Sequence, residues 1–365
     1  MKFQIADTLV GSTTNSQSLT RVYAPGLALN LSFDQKTDFL GKGTVGEVFR
    51  ASVEYDKKRN HNTPHDKSKC FALKRFLDCG ERPHFARECK VLEALAVFPH
   101  PHIVPCLGSW TVNSKPYMLF PLGIGDLYHF FRQTPRPQPT AQFTHWFTNQ
   151  LKGLCDALKY LHNYTLPILS ADSGTPISRI GFHHDLKPVN ILLFPSDDIN
   201  EPIWKISDFG SGIVTDFVTG DQESIYNSKP STGDPIYTAP EFALEGRVSR
   251  PKDIWSLGCI YLEALLWALD PSKTAIDDFQ RERLVIPGNH PARKPMFWYQ
   301  DHNGEVHMHP AVSQRLKALQ GLCEHMDVFE KLRRLISWML TVSRYERPTA
   351  SQLCDEFDTS MSQNL

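Results

Sequence analysis

The sequence has few cysteines, no long uncharged apolar run and almost no net charge, and each shortage excludes a class of protein. Its eight cysteines are spread over 365 residues without a CxxC pair, so we expect reduced thiols rather than a disulfide scaffold or a zinc site. The most apolar segment, residues 253–269, contains Asp253 and Glu263, which favours a buried helix over a membrane span. Lys and Arg number 39 against 40 for Asp and Glu, so no basic excess indicates a nucleic acid partner.

The first residues do not have the pattern of a secretory signal. Residues 1–17, MKFQIADTLVGSTTNSQ, contain no long apolar stretch, so we expect no signal peptide. Reduced thiols and the absence of a predicted membrane span favour a cytoplasmic or nuclear protein. Apolar residues make up 41% of the chain, which is enough for a substantial core.

Strand patterns dominate the first third of the chain, and helical patterns dominate the rest. Apolar residues alternate around a glycine-rich turn in residues 39–53 and form a short run at 70–77, whereas 84–97 and 143–161 have helical spacing. Residues 164–181 and 195–202 are interpreted as loop insertions between these elements. This order predicts an α+β protein with a small antiparallel-sheet part and a larger, mostly helical part.

Two features of the first third could bind an anion. The segment Gly41-Lys42-Gly43-Thr44-Val45-Gly46-Glu47-Val48 fits GxGxxGxV, and the backbone N–H groups of such a turn can approach phosphate oxygens. A structural hairpin has the same signature, and the position in a hairpin argues against a dinucleotide-binding βαβ unit. Lys74 lies in an apolar strand and, if buried, needs an anionic partner such as Glu88 on the following helix. An exposed lysine at a sheet edge is the alternative.

The segment His183-His184-Asp185-Leu186-Lys187-Pro188-Val189-Asn190 is more specific. It places a carboxylate, an ammonium and an amide between a predicted helix and a predicted strand. A carboxylate can orient or deprotonate an attacking hydroxyl, a lysine can balance charge on a transferring phosphoryl group, and an amide oxygen can bind Mg²⁺. Asp208-Phe209-Gly210 follows and adds a second carboxylate at the end of a strand.

These motifs, in this order, resemble those of eukaryotic protein kinases of the Ser/Thr type, in a variant with His183-His184-Asp185 in the catalytic loop. Further along the chain, Ala239-Pro240-Glu241, residues 253–258 and Arg347 in RYERPTA are similar to three later motifs of the family, in which the arginine pairs with the glutamate. The resemblance runs from about residue 38 to about residue 356.

The resemblance implies a bilobal protein-kinase-like fold and a reaction. It divides the chain into an N-terminal extension at 1–36, an N-lobe at 37–121 with one main helix, and a helical C-lobe at 122–365. The implied reaction transfers the γ-phosphoryl group of Mg·ATP to a Ser or Thr hydroxyl of a protein substrate. The alternatives are a pseudokinase-type ATP-binding scaffold that acts through protein partners and, less favoured, tyrosine or dual specificity. The oligomeric state stays open.

The resemblance also assigns roles to residues. The implied catalytic residues are the base Asp185, Lys187, the phosphate-binding Lys74 and its partner Glu88. The implied contacts to ATP are Gly41, Gly43, Gly46, Val48, Ala72, Lys74, Phe120 as gatekeeper, Leu122 in the hinge, Asp126 near the ribose, Leu192 and Asp208. The implied magnesium ligands are Asn190 and Asp208.

Two positions depart from the family pattern. His184 stands where the family has an arginine that binds a phosphate on the activation segment, which the resemblance places at residues 208–241. An imidazole offers fewer donors than a guanidinium, so we expect activity that does not depend strongly on phosphorylation there. Asp234 stands where the family usually has threonine, and a carboxylate at that position would change the charge balance near Asp185.

Overall fold

The structure, a computed structural model, describes residues 19–24, 27, 29–43, 45–53, 70–77, 83–169, 176–198, 200–216, 226–227, 235–245, 247–288, 290–323 and 326–361. Asp234, at which the sequence departs from the kinase pattern, lies outside these ranges. The chain divides into two compact units, residues 1–124 and residues 125–365.

The first unit contains a seven-stranded antiparallel sheet with the order β1-β2-β4-β5-β7-β6, in which β3 pairs with β4. The elements are β1 (Leu19–Ala24), β2 (Leu29–Asp34), β3 (Phe39–Lys42), β4 (Gly46–Val53), β5 (Cys70–Phe76), helix α1 (Pro83–Leu95), β6 (Gly108–Val112) and β7 (Lys115–Pro121). The glycine-rich hairpin predicted from the sequence is the β3–β4 pair. Helix α1 ends at Leu95, slightly before the predicted end at residue 97.

The core of the first unit lies on one face of this sheet. Phe49, Leu73 and Leu119 are buried and come from three neighbouring strands, where successive side chains alternate between the faces. Leu31 and Phe33 of β2 belong to the same cluster. The predicted N-terminal extension therefore includes a strand pair that hydrogen-bonds to β4 and contributes to the core.

The helices of the second unit surround a central buried helix. They are α2 (Leu127–Gln133), α3 (Ala141–His162), α4 (Pro240–Glu245), α5 (Arg250–Leu269), α6 (Ala275–Glu282), α7 (Pro310–Cys323), α8 (Asp327–Met339) and α9 (Ala350–Met361). Helix α5 is buried at every position from Lys252 to Leu269, as expected of a helix that is apolar on all sides. Helix α3 begins where the Thr140 hydroxyl accepts a hydrogen bond from the backbone N–H of Phe143 at 3.1 Å.

Short strands connect these helices and carry the loops of the candidate site. Three-stranded sheets are formed by β8 (Gly125–Asp126), β11 (Ile191–Phe194) and β12 (Ile203–Ile206), and by β9 (Tyr164–Leu169), β10 (Pro176–Phe182) and β13 (Ile213–Asp216). Two-stranded pairs join β14 (Tyr226–Asn227) to β15 (Arg247–Val248), β16 (Val285–Ile286) to β17 (His290–Pro291), and β18 (Trp298–Gln300) to β19 (Val306–Met308).

The interpretation of residues 164–181 as a loop is wrong, because β9 and most of β10 lie there. The backbone of β10 pairs with β9 on one side and with β13 on the other. That second partner is more than thirty residues away along the chain, and a local sequence pattern does not reveal such a pairing. None of the helices built from the described residues is long and apolar enough to cross a membrane.

Candidate active site

In the first unit, Lys74 of β5 forms a buried ion pair with Glu88 of α1. Lys74 Nζ donates to Glu88 Oε2 at 2.7 Å and to Oε1 at 3.0 Å, and the two residues are only 8% and 1% exposed. Two unpaired charges at this depth would each carry a large desolvation cost, which the pairing offsets. Of the two alternatives that the sequence left open, the structure therefore has the buried pair and not the exposed edge lysine.

The three glycines of the β3–β4 hairpin are not equivalent. A Cβ at Gly46 would lie 2.8 Å from the carbonyl oxygen of Arg75 on β5, too close for any side chain. A Cβ at Gly41 would meet no atom within 4 Å, and one at Gly43 would have its nearest neighbour at 3.9 Å. The Gly43 N–H donates to the Gly46 carbonyl at 2.9 Å and closes the turn. Packing within the sheet thus requires glycine at position 46 and leaves room for a side chain at positions 41 and 43.

Four of the predicted nucleotide-binding residues lie on one face of the sheet. Val48 is directly opposite Lys74, and Ala72 is directly opposite Phe120. Directly paired residues, and residues two apart on one strand, point to the same side, so these four share the face opposite the core. Val48, Ala72 and Phe120 are half-buried, as is Leu122, which follows β7.

In the second unit, Asp253 of α5 holds the backbone of the predicted catalytic loop. Its carboxylate accepts hydrogen bonds from the N–H groups of His183 at 2.9 Å and His184 at 3.0 Å, and it is 3.2 Å from Nε2 of His162. Burial alone would raise the pKa of Asp253, but the hydrogen bond with His162 and the charge of Lys252 bring the pKa well below its usual range. Asp253 therefore remains ionised and fixes the start of the loop.

The carboxylate of Asp185 lies between two side chains of the same loop. Lys187 Nζ donates to Asp185 Oδ2 at 2.9 Å, and Asn190 Nδ2 donates to the same oxygen at 3.3 Å and to the Asp185 carbonyl at 2.8 Å. Because the amide nitrogen of Asn190 makes both bonds, the amide oxygen of Asn190 points away from Asp185. The structure thus brings together all three of the chemical groups that the sequence singled out in this loop.

Asp208 has a left-handed backbone, with φ 60° and ψ 72°. Aspartate tolerates this region better than most residues, but it persists only where the surroundings enforce it. The surroundings here are Ser207, which donates to the Asn190 carbonyl through both N–H and Oγ, and Phe209, which is buried 4.9 Å from the His183 ring. Asp208 is exposed between two anchored neighbours.

Asp126 and Leu192 are adjacent on β8 and β11. The Asp126 carboxylate accepts a hydrogen bond from the His129 N–H at 3.0 Å and lies 2.8 Å from His129 Nδ1, so it caps helix α2. The sequence analysis missed this cap, although an aspartate three residues before His129 at the start of a helix is a recognisable signal. A contact between Asp126 and a ribose stays a prediction.

His184, which the sequence analysis compared with the family arginine, is a buried residue. It has a φ of 69°, is 5% exposed and stacks on Phe182 at 5.5 Å between ring centroids. Within the described residues, neither ring nitrogen has a hydrogen-bond partner. Burial, followed by the charge of Lys252, brings the pKa of His184 well below its ordinary value. The ring is therefore a neutral, buried packing group.

Lys252 was missed by the sequence analysis, which treated its helix as apolar core. It is 1% exposed, donates from Nζ to the carbonyl oxygen of His184, and lies 4.2 Å from the centre of the Phe242 ring. Burial lowers the pKa of this ammonium, while the charge of Asp253 raises it. A single lysine before Asp253 carries no sequence signal that distinguishes this role from an exposed helix start.

The predicted pairing of Glu241 with Arg347 is confirmed. Arg347 donates from its two terminal nitrogens to Glu241 Oε1 at 2.6 Å and Oε2 at 2.8 Å, a bidentate arrangement that is almost fully buried. Arg347 also donates to the backbone carbonyls of Thr341, Val342 and Pro251. The guanidinium thus joins the first turn of α4 to the loop before α9.

The chain belongs to the protein kinase family. The Protein kinase domain matches residues 35–357, and that range contains both the Lys74–Glu88 pair and the loop around Asp185. The ion pair, the anchored loop and the left-handed aspartate are therefore those of a protein kinase domain.

Similar proteins include the Serine/threonine-protein kinase ksp1 of Schizosaccharomyces pombe, 29% identical over 64% of this chain and 43% of that protein. The Serine/threonine-protein kinase ULK3 of Homo sapiens is 28% identical over 63% of this chain and 40% of its own length. The Dual specificity protein kinase shkE of Dictyostelium discoideum is 27% identical over 68% of this chain and 30% of its own length. The chain spans less than half the length of these relatives.

Proposed function

We propose that the chain is an ATP-dependent protein kinase that phosphorylates Ser and Thr hydroxyls of a protein substrate. The observation that carries this proposal is the position of Asp185, whose carboxylate accepts from Lys187 and Asn190 on a loop anchored by Asp253. A carboxylate held in this way can accept a hydrogen bond from an attacking hydroxyl and orient it. Lys187 stands beside the same oxygen, where a cation can balance charge on a phosphoryl group.

The residues present fit a magnesium-bound nucleotide. Asp208 and the amide oxygen of Asn190 are oxygen donors of the kind that Mg²⁺ prefers. The ion, when bound, would neutralise charge on the phosphate oxygens. In the first unit, Lys74 would hold the phosphates while Glu88 keeps its ammonium in place. Gly41 and Gly43, which packing does not require, would let a phosphate approach the backbone of the hairpin with no side chain in the way. Val48, Ala72 and Phe120, which share one face of the sheet, would provide apolar contact for the adenine ring.

The test is transfer of labelled phosphate from Mg·ATP to a degenerate peptide library, followed by identification of the acceptor residues. We expect phosphoserine and phosphothreonine from the unchanged protein. Asp185→Asn and Lys74→Met should each lower transfer by about 100-fold or more, as for the loss of one strong electrostatic donor. Lys115→Met, on the exposed end of β7, is the matched control and should leave transfer unchanged.

Each other outcome of this assay has a definite meaning. Full activity of Lys74→Met would contradict the role of Lys74. Nucleotide binding without transfer by the unchanged protein would support the alternative of a pseudokinase-type scaffold. Phosphotyrosine among the products would replace Ser/Thr specificity with dual specificity.

The same assay addresses control by phosphorylation. The neutral, buried ring of His184 offers no cationic contact to a phosphate on the activation segment. Removal of all phosphate with a phosphatase, checked by mass spectrometry, should therefore change the rate by less than about 10-fold, which corresponds to about 1.4 kcal/mol. A larger fall would contradict this part of the proposal.

A further inference from the structure

Two cysteines from distant parts of the chain meet in the second unit. Cys155 lies on α3 and Cys354 on α9, and the Cys354 thiol donates to Cys155 Sγ at 3.5 Å. The two residues are 0% and 2% exposed. The Cys155 thiol in turn donates to the carbonyl of Ala350 at 3.5 Å, which places its sulfur against the first turn of α9. Neither thiol belongs to the site that contains Asp185.

The two sulfurs are in contact but are not bonded. A disulfide requires about 2.0 Å between the sulfurs and side chains that point towards each other. The sulfurs lie 3.5 Å apart on two helices that pack against each other, so they must approach by roughly 1.5 Å for the bond to form.

We propose that Cys155 and Cys354 form a reversible disulfide when the protein meets a peroxide, and that this bond joins α9 covalently to α3. The inference rests on these two residues and not on the kinase activity. In a reducing compartment the pair stays a dithiol, in agreement with the expectation of reduced thiols from the sequence.

The reaction has two balanced steps. The Cys354 thiolate attacks one peroxide oxygen, the O–O bond breaks, and the product is a sulfenic acid with hydroxide as the leaving group. The Cys155 sulfur then attacks the sulfenic sulfur, the S–S bond forms and water leaves. In total, two thiols lose two electrons and two protons, and one molecule of hydrogen peroxide becomes two molecules of water.

The surroundings favour Cys354 as the first sulfur to react. Once Cys354 is a thiolate, it can accept a hydrogen bond from the Cys155 thiol, and this bond lowers the pKa of Cys354. The charge of Lys159 acts in the same direction, whereas burial and the charges of Asp156 and Asp358 oppose it. The bond with Cys354 and burial hold the pKa of Cys155 well above its ordinary value, so Cys155 remains a thiol that can resolve the sulfenic acid. Helix α9 is exposed on the side away from α3, and local opening of such a helix can admit the oxidant.

The experiment treats the folded protein with increasing hydrogen peroxide, up to the concentration at which its circular dichroism begins to change. Remaining thiols are then blocked, and the digest is analysed by mass spectrometry without reduction. The expected result is a peptide pair linked through Cys155 and Cys354 that dithiothreitol separates. Oxidation should raise the melting temperature by roughly 5 °C or more, because the bond closes a long loop, and dithiothreitol should reverse the rise.

The controls separate this bond from general oxidation. Cys155→Ala and Cys354→Ala should each abolish the linked peptide and the reversible rise in melting temperature. Cys323→Ala, which removes a buried thiol from α7, should leave both unchanged. Two results would overturn the proposal. In the first, both cysteines still carry the alkylating reagent after the highest dose, which means that neither thiol was oxidised. In the second, Cys354 is found as a sulfinic acid and no linked peptide is present. The spectrum of the unchanged protein decides the question even where a variant fails to fold.

Discussion

The ion pair between Glu241 and Arg347 makes a quantitative prediction about stability. Arg347→Ala removes a guanidinium whose side chain is fully buried and leaves the carboxylate of Glu241 without its partner. Breaking a buried pair from one side costs roughly 3–5 kcal/mol, since the remaining charge loses its compensation. The variant also removes donors from the carbonyls of Thr341, Val342 and Pro251, which favours the upper part of that range.

This loss is large against the total stability of an ordinary domain. If the free energy of unfolding is about 5–15 kcal/mol, the variant retains the fold with a small margin or fails to fold at 37 °C. At about 2–4 °C for each kcal/mol, the melting temperature should fall by roughly 6–20 °C. Urea denaturation, monitored by circular dichroism, measures the loss of stability. If the dependence of the unfolding free energy on urea concentration is unchanged, the shift of the denaturation midpoint gives the loss directly.

The control for this prediction is an exposed pair of similar chemistry. Arg334 bonds to Glu330 at 2.9 Å, but its side chain is 72% exposed, so Arg334→Ala should cost less than about 1 kcal/mol. The double variant Glu241→Met/Arg347→Met, which leaves no unpaired charge, should recover most of the loss. If Arg347→Ala is no less stable than Arg334→Ala, the argument from burial is refuted.

Two further predictions concern packing and pH. Gly258→Ala should destabilise the protein by about 1–3 kcal/mol despite the better helix propensity of alanine, because the new Cβ would lie 2.9 Å from Met339 Cβ. Gly321→Ala on α7, with nothing within 4 Å of its Cβ, should be neutral or stabilising in the same melting experiment, and an equal effect at both sites would contradict the packing argument. Burial lowers the pKa of His184 in the folded state, so the unfolded chain takes up the proton first as the pH falls below about 6.5. The free energy of unfolding should decrease below that pH by up to about 1.4 kcal/mol per pH unit for this group, and urea midpoints at pH 7.5, 6 and 5 should show a smaller decrease for His184→Asn. If the urea midpoints of the two proteins fall equally with pH, His184 does not titrate in this way.

The sequence predicted helices and strands correctly where their apolar pattern is set by residues close together along the chain. The β3–β4 hairpin follows from alternation around Gly41 and Gly43, and helices α3 and α5 follow from their apolar spacing. The candidate catalytic loop was recognisable because Asp185, Lys187 and Asn190 fall within six residues. Spacing of this kind is a property of the chain itself and does not need the fold.

Tertiary structure alone decided the state of each charged group. The sequence left Lys74 as either exposed or paired, and only the packing of α1 against the sheet buries it beside Glu88. The sequence showed that His184 is not an arginine, but only its burial in the fold lowers the pKa of its ring well below the ordinary value. The physical reason is that a pKa depends on solvent and on charges within a few ångströms.

Residues that are distant along the chain also had to be brought together before their contacts could be known. The strand β10 was missed because one of its partners, β13, lies beyond the catalytic loop. The contact of Cys155 with Cys354 joins residues that are 199 apart, and no spacing rule connects them. The sequence by itself determined which chemical groups the chain possesses and which lie close along it. The fold decided which of them are buried, paired or in contact, because burial and long-range contact arise only when separate elements pack.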